Sequence, residues 1–163
     1  MVFGRQIIVS ASSLPNAHER QMALEVAAFA GRSFDGLDAP AIDGVLHDGV
    51  TPTSNPQPVQ LQYNAKGGDD RIREDAIDHA YKAQKHGVVN LHLYVKSADP
   101  NVTVSSLLTS IKQWGTVPGG LVNMTSKTNA NITQVTILAQ DGVVRVDRGK
   151  VYSCDNKGKC QSH

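Results

Sequence analysis

Residues 70–86 form the clearest helix of the chain, and Gly87 alone separates it from the strongest strand, residues 88–95. Ile72, Ala76, Ala80 and Ala83 fall on one helical face and are expected to be buried together. The glycine stops the helix, and the apolar run after it reads as a central strand. A helix is also expected over Ala17–Ala30, entered through Asn16 and ended by Gly31, with Met22, Val26 and Phe29 on its inner face. A third is expected over Val104–Trp114, with Leu107, Leu108 and Ile111 inward.

Between these helices the spacing predicts strands at residues 7–9, 41–47, 59–63 and 132–139, and at 143–146 after the hairpin signal Asp141-Gly142. Residues 33–37 read as a short strand or turn. Residues 51–58 contain three prolines and read as an exposed loop, unfit for a central strand. Residues 117–128, around Pro118-Gly119-Gly120, are loop-rich. The order predicts an α/β fold, a mixed β-sheet flanked by helices.

With 163 residues, the chain has the length of one domain, here residues 1–163 with a core over about 17–147 and a tail over 148–163. Only 5% of residues are aromatic, so aliphatic side chains must fill most of the core. The formal net charge is +1, so any anionic partner must be met by a local patch and not by a global field. No apolar run approaches the roughly 20 residues that span a bilayer, and Ile7-Ile8-Val9 is too short for the core of a secretory signal. No membrane insertion is expected. Cys154 and Cys160 flank a turn-like segment and read either as two free thiols on a mobile tail or as a small disulfide loop.

The chemistry-bearing residues cluster early. Glu25 lies at the edge of the buried face of its helix. Asp43 follows Pro40 and stands in a strand beside Gly44, where a backbone or a phosphate can approach closely. Asp35 and Asp38, each next to glycine or in a turn-like run, are weaker candidates. Gln60 and Gln62 share one face of the following strand because side chains alternate. Lys66 in the loop after that strand, and Lys82 on the helix, are the nearest lysines. Walker, nucleophile-elbow, zinc-protease and dinucleotide-binding patterns are absent from the sequence.

From Glu25 to Val95 the chain resembles the restriction-endonuclease-like core of the PD-(D/E)XK superfamily. The phrase FDGLDAPAIDGVLHDG…PVQLQ is also similar to nuclease toxin domains at the carboxyl end of polymorphic and contact-dependent growth inhibition toxins. The resemblance implies a helical glutamate (Glu25), a metal-binding aspartate (Asp43) and a catalytic strand triplet at Gln60-Leu61-Gln62. It implies a divalent metal, Mg²⁺ first, held by Glu25, Asp43 and Gln60. The triplet departs from the family pattern, which has an acid and a lysine where this chain has two glutamines. The site then runs on fewer charges, or Lys66 or Lys82 replaces the missing lysine, or the site is disarmed. The catalytic set expected is Glu25, Asp43, Gln60, Gln62, Lys66 and Lys82.

The function so implied is a metal-dependent endonuclease toxin cleaving RNA, with transfer RNA favoured. It would be a secreted or cell-surface effector delivered to the cytoplasm of a target bacterium and neutralised by a cognate immunity protein. The competing readings are a metal-independent ribonuclease using histidine and lysine, a nuclease-like binding module without chemistry, and an immunity-type partner protein.

Overall fold

The computed structural model describes residues 7–155 and 157–163. Among these, nine strands make one mixed sheet, in which they lie side by side in chain order. They are β1 (Val9–Ser10), β2 (Ser33–Ala39), β3 (Ile42–His47), β4 (Gln57–Asn64), β5 (Leu91–Ser97), β6 (Ile132–Ala139), β7 (Gly142–Asp147), β8 (Lys150–Cys154) and β9 (Cys160–Ser162). The helices are α1 (Ala17–Ala30), α2 (Asp69–Lys85), α3 (Val104–Trp114) and α4 (Leu121–Ser126). The expected mixed α/β architecture is the one found.

Strands β2, β3 and β4 form an antiparallel meander, β4, β5 and β6 are parallel, and β6 to β9 are antiparallel. Each parallel pair needs a crossover. α2 carries the chain from β4 to β5, and α3 with α4 carries it from β5 to β6. These three helices cover one face, where Ile72, Ala76, Leu107, Ile111 and Leu121 pack on Leu91, Leu93 and Val95. On the other face, α1 packs Met22, Ala23 and Val26 against Phe34, Leu46, Val59, Leu61 and Tyr94. Period-2 alternation along β4 and β5 therefore assigns each side chain to one of two cores.

Local signals explain the helix ends. The Asn16 side chain accepts from the backbone N–H of His18 at 2.8 Å and of Glu19 at 3.3 Å, which caps α1. Gly31 closes the helix in the left-handed conformation, φ 65°. Thr103 and Ser106 form a reciprocal capping box on α3.

Four expectations change. The first strand is shorter, Val9–Ser10, while β2 reaches Ala39 and is a full strand. Pro58 lies in β4, a central strand, opposite Val45 of β3. It is tolerated because it sits at the strand's start, before pairing with β5 begins at Val59–His92. The segment 117–128 contains α4. Finally, residues 148–163 continue the sheet as β8 and β9 instead of trailing as a tail.

Cys154 and Cys160 face each other across β8 and β9 and are joined as a disulfide. The intervening turn is organised by Asp155, whose Oδ1 accepts from the backbone N–H of Lys157 and Lys159, both at 2.9 Å. Because β9 is wholly exposed, the bond rather than burial holds this edge hairpin. Replacing both cysteines by serine is expected to lower unfolding free energy by about 2 kcal/mol, the chain-entropy value for so short a loop. Urea denaturation of the variant against the oxidised parent measures this, and a loss above roughly 4 kcal/mol would mean that the hairpin supports the main core.

Candidate functional site

Asp43 stands where β3 departs from β4. Backbone pairing between the two strands ends at Gly44–Val59, and the next free amide on β4, that of Leu61, donates to Asp43 Oδ2 at 2.8 Å. The aspartate thus replaces a ladder bond with its side chain. Burial is the largest influence on its carboxyl and pushes its pKa up, while the Leu61 bond and the charge of Lys82 pull the other way. Gly44 does not leave an opening for a ligand. An added Cβ there would lie 2.3 Å from the Phe34 ring and 2.7 Å from the Asp35 carbonyl oxygen, so the glycine admits Phe34 into the core.

The α1 carboxylate that feels the charge of Asp43 is Glu19. Glu19 has its pKa raised, first by burial and then by the like charge of Asp43. Stacking of His18 on Tyr63, with ring centroids 3.9 Å apart, fixes the first turn of α1 over the end of β4 and so places its neighbour Glu19. Glu25 is committed elsewhere: its Oε1 accepts from Lys96 Nζ of β5 at 2.6 Å. Nothing in the sequence period separates the two glutamates, since each lies beside the buried stripe. What distinguishes Glu19 is its place in the capped first turn.

Gln60 and Gln62 point away from α1, toward α2. Gln62 is fully engaged. Its Nε2 donates to Asn64 Oδ1 at 2.9 Å, and its Oε1 lies 2.8 Å from His79 Nε2, which must therefore carry the proton. Asn64 in turn donates to Asp75 at 2.9 Å, and Asp75 accepts from Arg71 at 3.1 Å. Burial first, then Lys82, lowers the pKa of His79, so it is the neutral imidazole that completes this network. Gln60 differs. Its Oε1 is buried and has no hydrogen-bond partner, an orphaned acceptor of the kind that needs a donor or a cation.

Lys82, three residues beyond His79 on α2, is the lysine whose charge is felt by both Asp43 and His79. Lys66 is exposed in the loop after β4. Asp35 accepts from His47 Nε2 at 2.7 Å, and Asp38 is exposed at the end of β2. Electrostatics therefore link Asp43 with Glu19 and Lys82, while Glu25 and Gln62 are bonded to other partners and Gln60 points to the α2 side of β4. Among the described residues, no group of three or more His, Cys, Asp or Glu side chains is placed to hold a metal ion.

No helix of the described residues is long and apolar enough to cross a membrane. Comparison with protein-family models, with curated proteins and with solved structures returned no match.

Asp43→Asn keeps an acceptor for the Leu61 amide and removes the buried charge. A carboxyl with a raised pKa stabilises the fold fully only below its unfolded value and loses that contribution as pH rises through the folded one. The variant is therefore expected to be more stable than the parent at pH 7, by less than about 1 kcal/mol at this partly solvated site. The gap should close as pH falls toward about 4. Urea midpoints at the two pH values check this; a parent more stable than the variant at pH 7 would contradict it.

Proposed function

We propose that this chain is a metal-dependent endonuclease acting on RNA, with transfer RNA the favoured substrate. In this reading it is the effector domain of a toxin passed between competing bacteria and is neutralised by a cognate immunity protein over its cleft. The observation that carries the reading is the placement of Asp43. It follows a helix bearing Glu19 and lies at the point where β3 leaves β4; β4 is then followed by α2 and the parallel strand β5. That succession agrees with the order of the restriction-endonuclease-like core, in which an aspartate at this point holds metal.

The residues present suit a hard cation that keeps several waters. Asp43 and Glu19 raise each other's energy by like charge, which a cation between them would relieve. Gln60, the third ligand the resemblance implies, has a buried Oε1 without a partner but faces the α2 side of β4, away from Glu19. A divalent ion held there would activate a water and stabilise the leaving oxygen of a phosphodiester. Lys82 takes over the cationic role expected of a lysine on β4, binding the phosphate from α2. Gln62 positions His79 through its Oε1 and has no free polar group for the reaction.

A specific observation also favours a second reading. His79 and Lys82 lie one helical turn apart on α2, and the Lys82 charge acts on both His79 and Asp43, a histidine–lysine pair of the kind that metal-independent cleavage uses. Chelation separates the two. With Mg²⁺ and total transfer RNA, the purified protein is expected to produce discrete fragments. Excess EDTA should abolish them, and Asp43→Ala should cut the rate at least roughly 100-fold. Cleavage that persists in EDTA would replace the metal mechanism by the histidine–lysine one. If the protein neither cleaves RNA nor arrests bacteria that express it, the enzyme reading fails and a binding module remains.

A further inference from the structure

A second polar site lies on the sheet face opposite Gln60 and Gln62. The last turn of α1 roofs a cavity of about 270 Å³, lined among others by His92, Tyr94, Gln134, Arg145, Arg32 and Gln57. Its floor is set by strand pairing. His92 and Tyr94 alternate on β5, Gln134 is the cross-strand partner of His92 on β6, and Arg145 is the partner of Thr136 on β7. Arg145 is held in place, its Nε donating to Thr136 Oγ1 at 3.1 Å and its guanidinium lying 5.0 Å from the Phe29 ring centroid. The same guanidinium also bonds the Tyr94 hydroxyl, so arginine and tyrosine face the cavity as a pair. Gln134 is 7% exposed and Tyr94 2%.

The charge here is mostly positive, with Arg32 paired to Asp48 and Arg145 without a carboxylate among the cavity's lining residues. The guanidinium groups of Arg145, Arg148 and Arg32 all act on His92, and with burial, the largest cause, they push its pKa down to about 4. Asp48 is bonded to one of them, accepting from Arg32 Nε at 3.2 Å. Tyr94 is pushed up by burial against the pull of Arg145 and Arg32. Like charges gathered about a buried polar cavity are costly until an anion joins them. One feature opposes an anion: the carbonyl end of α1 forms the roof. The N–H groups of Gly31 and Arg32 already satisfy Ala27 and Ala28 there, which weakens that opposition.

We propose that this cavity binds a phosphoryl group, either free phosphate or the phosphate of a nucleotide. A carboxylate offers two oxygens in a plane. A phosphate dianion offers three, and the cavity presents donors on several sides: the Arg145 fork, the His92 ring, the Tyr94 hydroxyl and the Gln134 amide. The volume lies below the roughly 300 Å³ at which pockets for larger ligands begin, so an anion-sized group fits. The site is separate from the Asp43 group, and its occupancy does not depend on the nuclease reading.

NMR titration of the His92 ring in the full chain, with inorganic phosphate, AMP and acetate as probes, tests this. Phosphate or AMP is expected to shift the His92 signals saturably and to raise its titration midpoint by about one unit or more. Tighter binding of AMP identifies a nucleotide site, and equal binding identifies a free-phosphate site; either supports the proposal. Arg145→Gln should weaken binding at least roughly tenfold, and Arg145→Lys, which keeps charge but not the fork, several-fold. Should the glutamine variant fail to fold, the lysine variant carries the comparison. The proposal is overturned if neither phosphate nor AMP moves His92 at about 20 mM, a concentration weaker than any useful affinity. It is also overturned if acetate moves it equally, or if the folded Arg145 variants bind as the parent does.

Discussion

The parallel pairing of β4, β5 and β6 is the constraint on which the remaining structure depends. Parallel neighbours cannot be joined by a tight turn, so the chain must leave the sheet twice and return. α2 makes the first crossover, and α3 with α4 the second, and both lie on one face. That leaves the other face open, and α1, the connection between the parallel strands β1 and β2, covers it. β5, at the centre, shows the result in its sequence. Leu91, Leu93 and Val95 enter the core under α2 and α3, while His92, Tyr94 and Lys96 point to the α1 side.

The same alternation distributes the chemistry. On β4 the odd residues Val59 and Leu61 pack under α1, which sends Gln60, Gln62 and Asn64 toward α2. Polar side chains on a central strand must be satisfied, and Gln62 and Asn64 are, through His79 and Asp75. Gln60 Oε1 is the exception. On β5 the polar residues lie on the opposite face, where Lys96 meets Glu25 and His92 meets the arginines. A chain of net charge +1 can in this way hold two local fields of opposite character. Like charge from Asp43 acts on Glu19, and like charge from three arginines acts on His92.

Much of this was legible from the residues themselves. The bounds of α1 followed from signals that act over three or four positions, Asn16 and Gly31. β6 and β7 followed from period-2 patterning around a hairpin signal. What escaped depends on partners distant in sequence. Pro58 enters a central strand because pairing with β5 begins one residue later, at Val59. β8 and β9 are short and polar, and they exist because β7 offers an edge and a disulfide closes the turn. Glu19 and Glu25 are alike in sequence; which of them faces Asp43 depends on which rung of α1 crosses the end of β4. The His18–Tyr63 stack decides that, and it joins residues that no local window contains.

The glutamine at position 62 then has a physical account. Its side chain faces His79 at 2.8 Å and bridges to Asn64, inside a network that already contains Asp75 and Arg71. A lysine there would offer donors only, leaving the His79 Nε2–H without its acceptor and adding a buried charge beside Arg71 and Lys82. Glutamine supplies one acceptor and one donor, which is what the two neighbours require. Positive charge is instead carried by Lys82, whose exposed ammonium avoids the desolvation cost and still acts on Asp43. In the nuclease reading, moving the lysine from strand to helix separates two tasks that the family pattern assigns to one strand: holding the core together and meeting the phosphate.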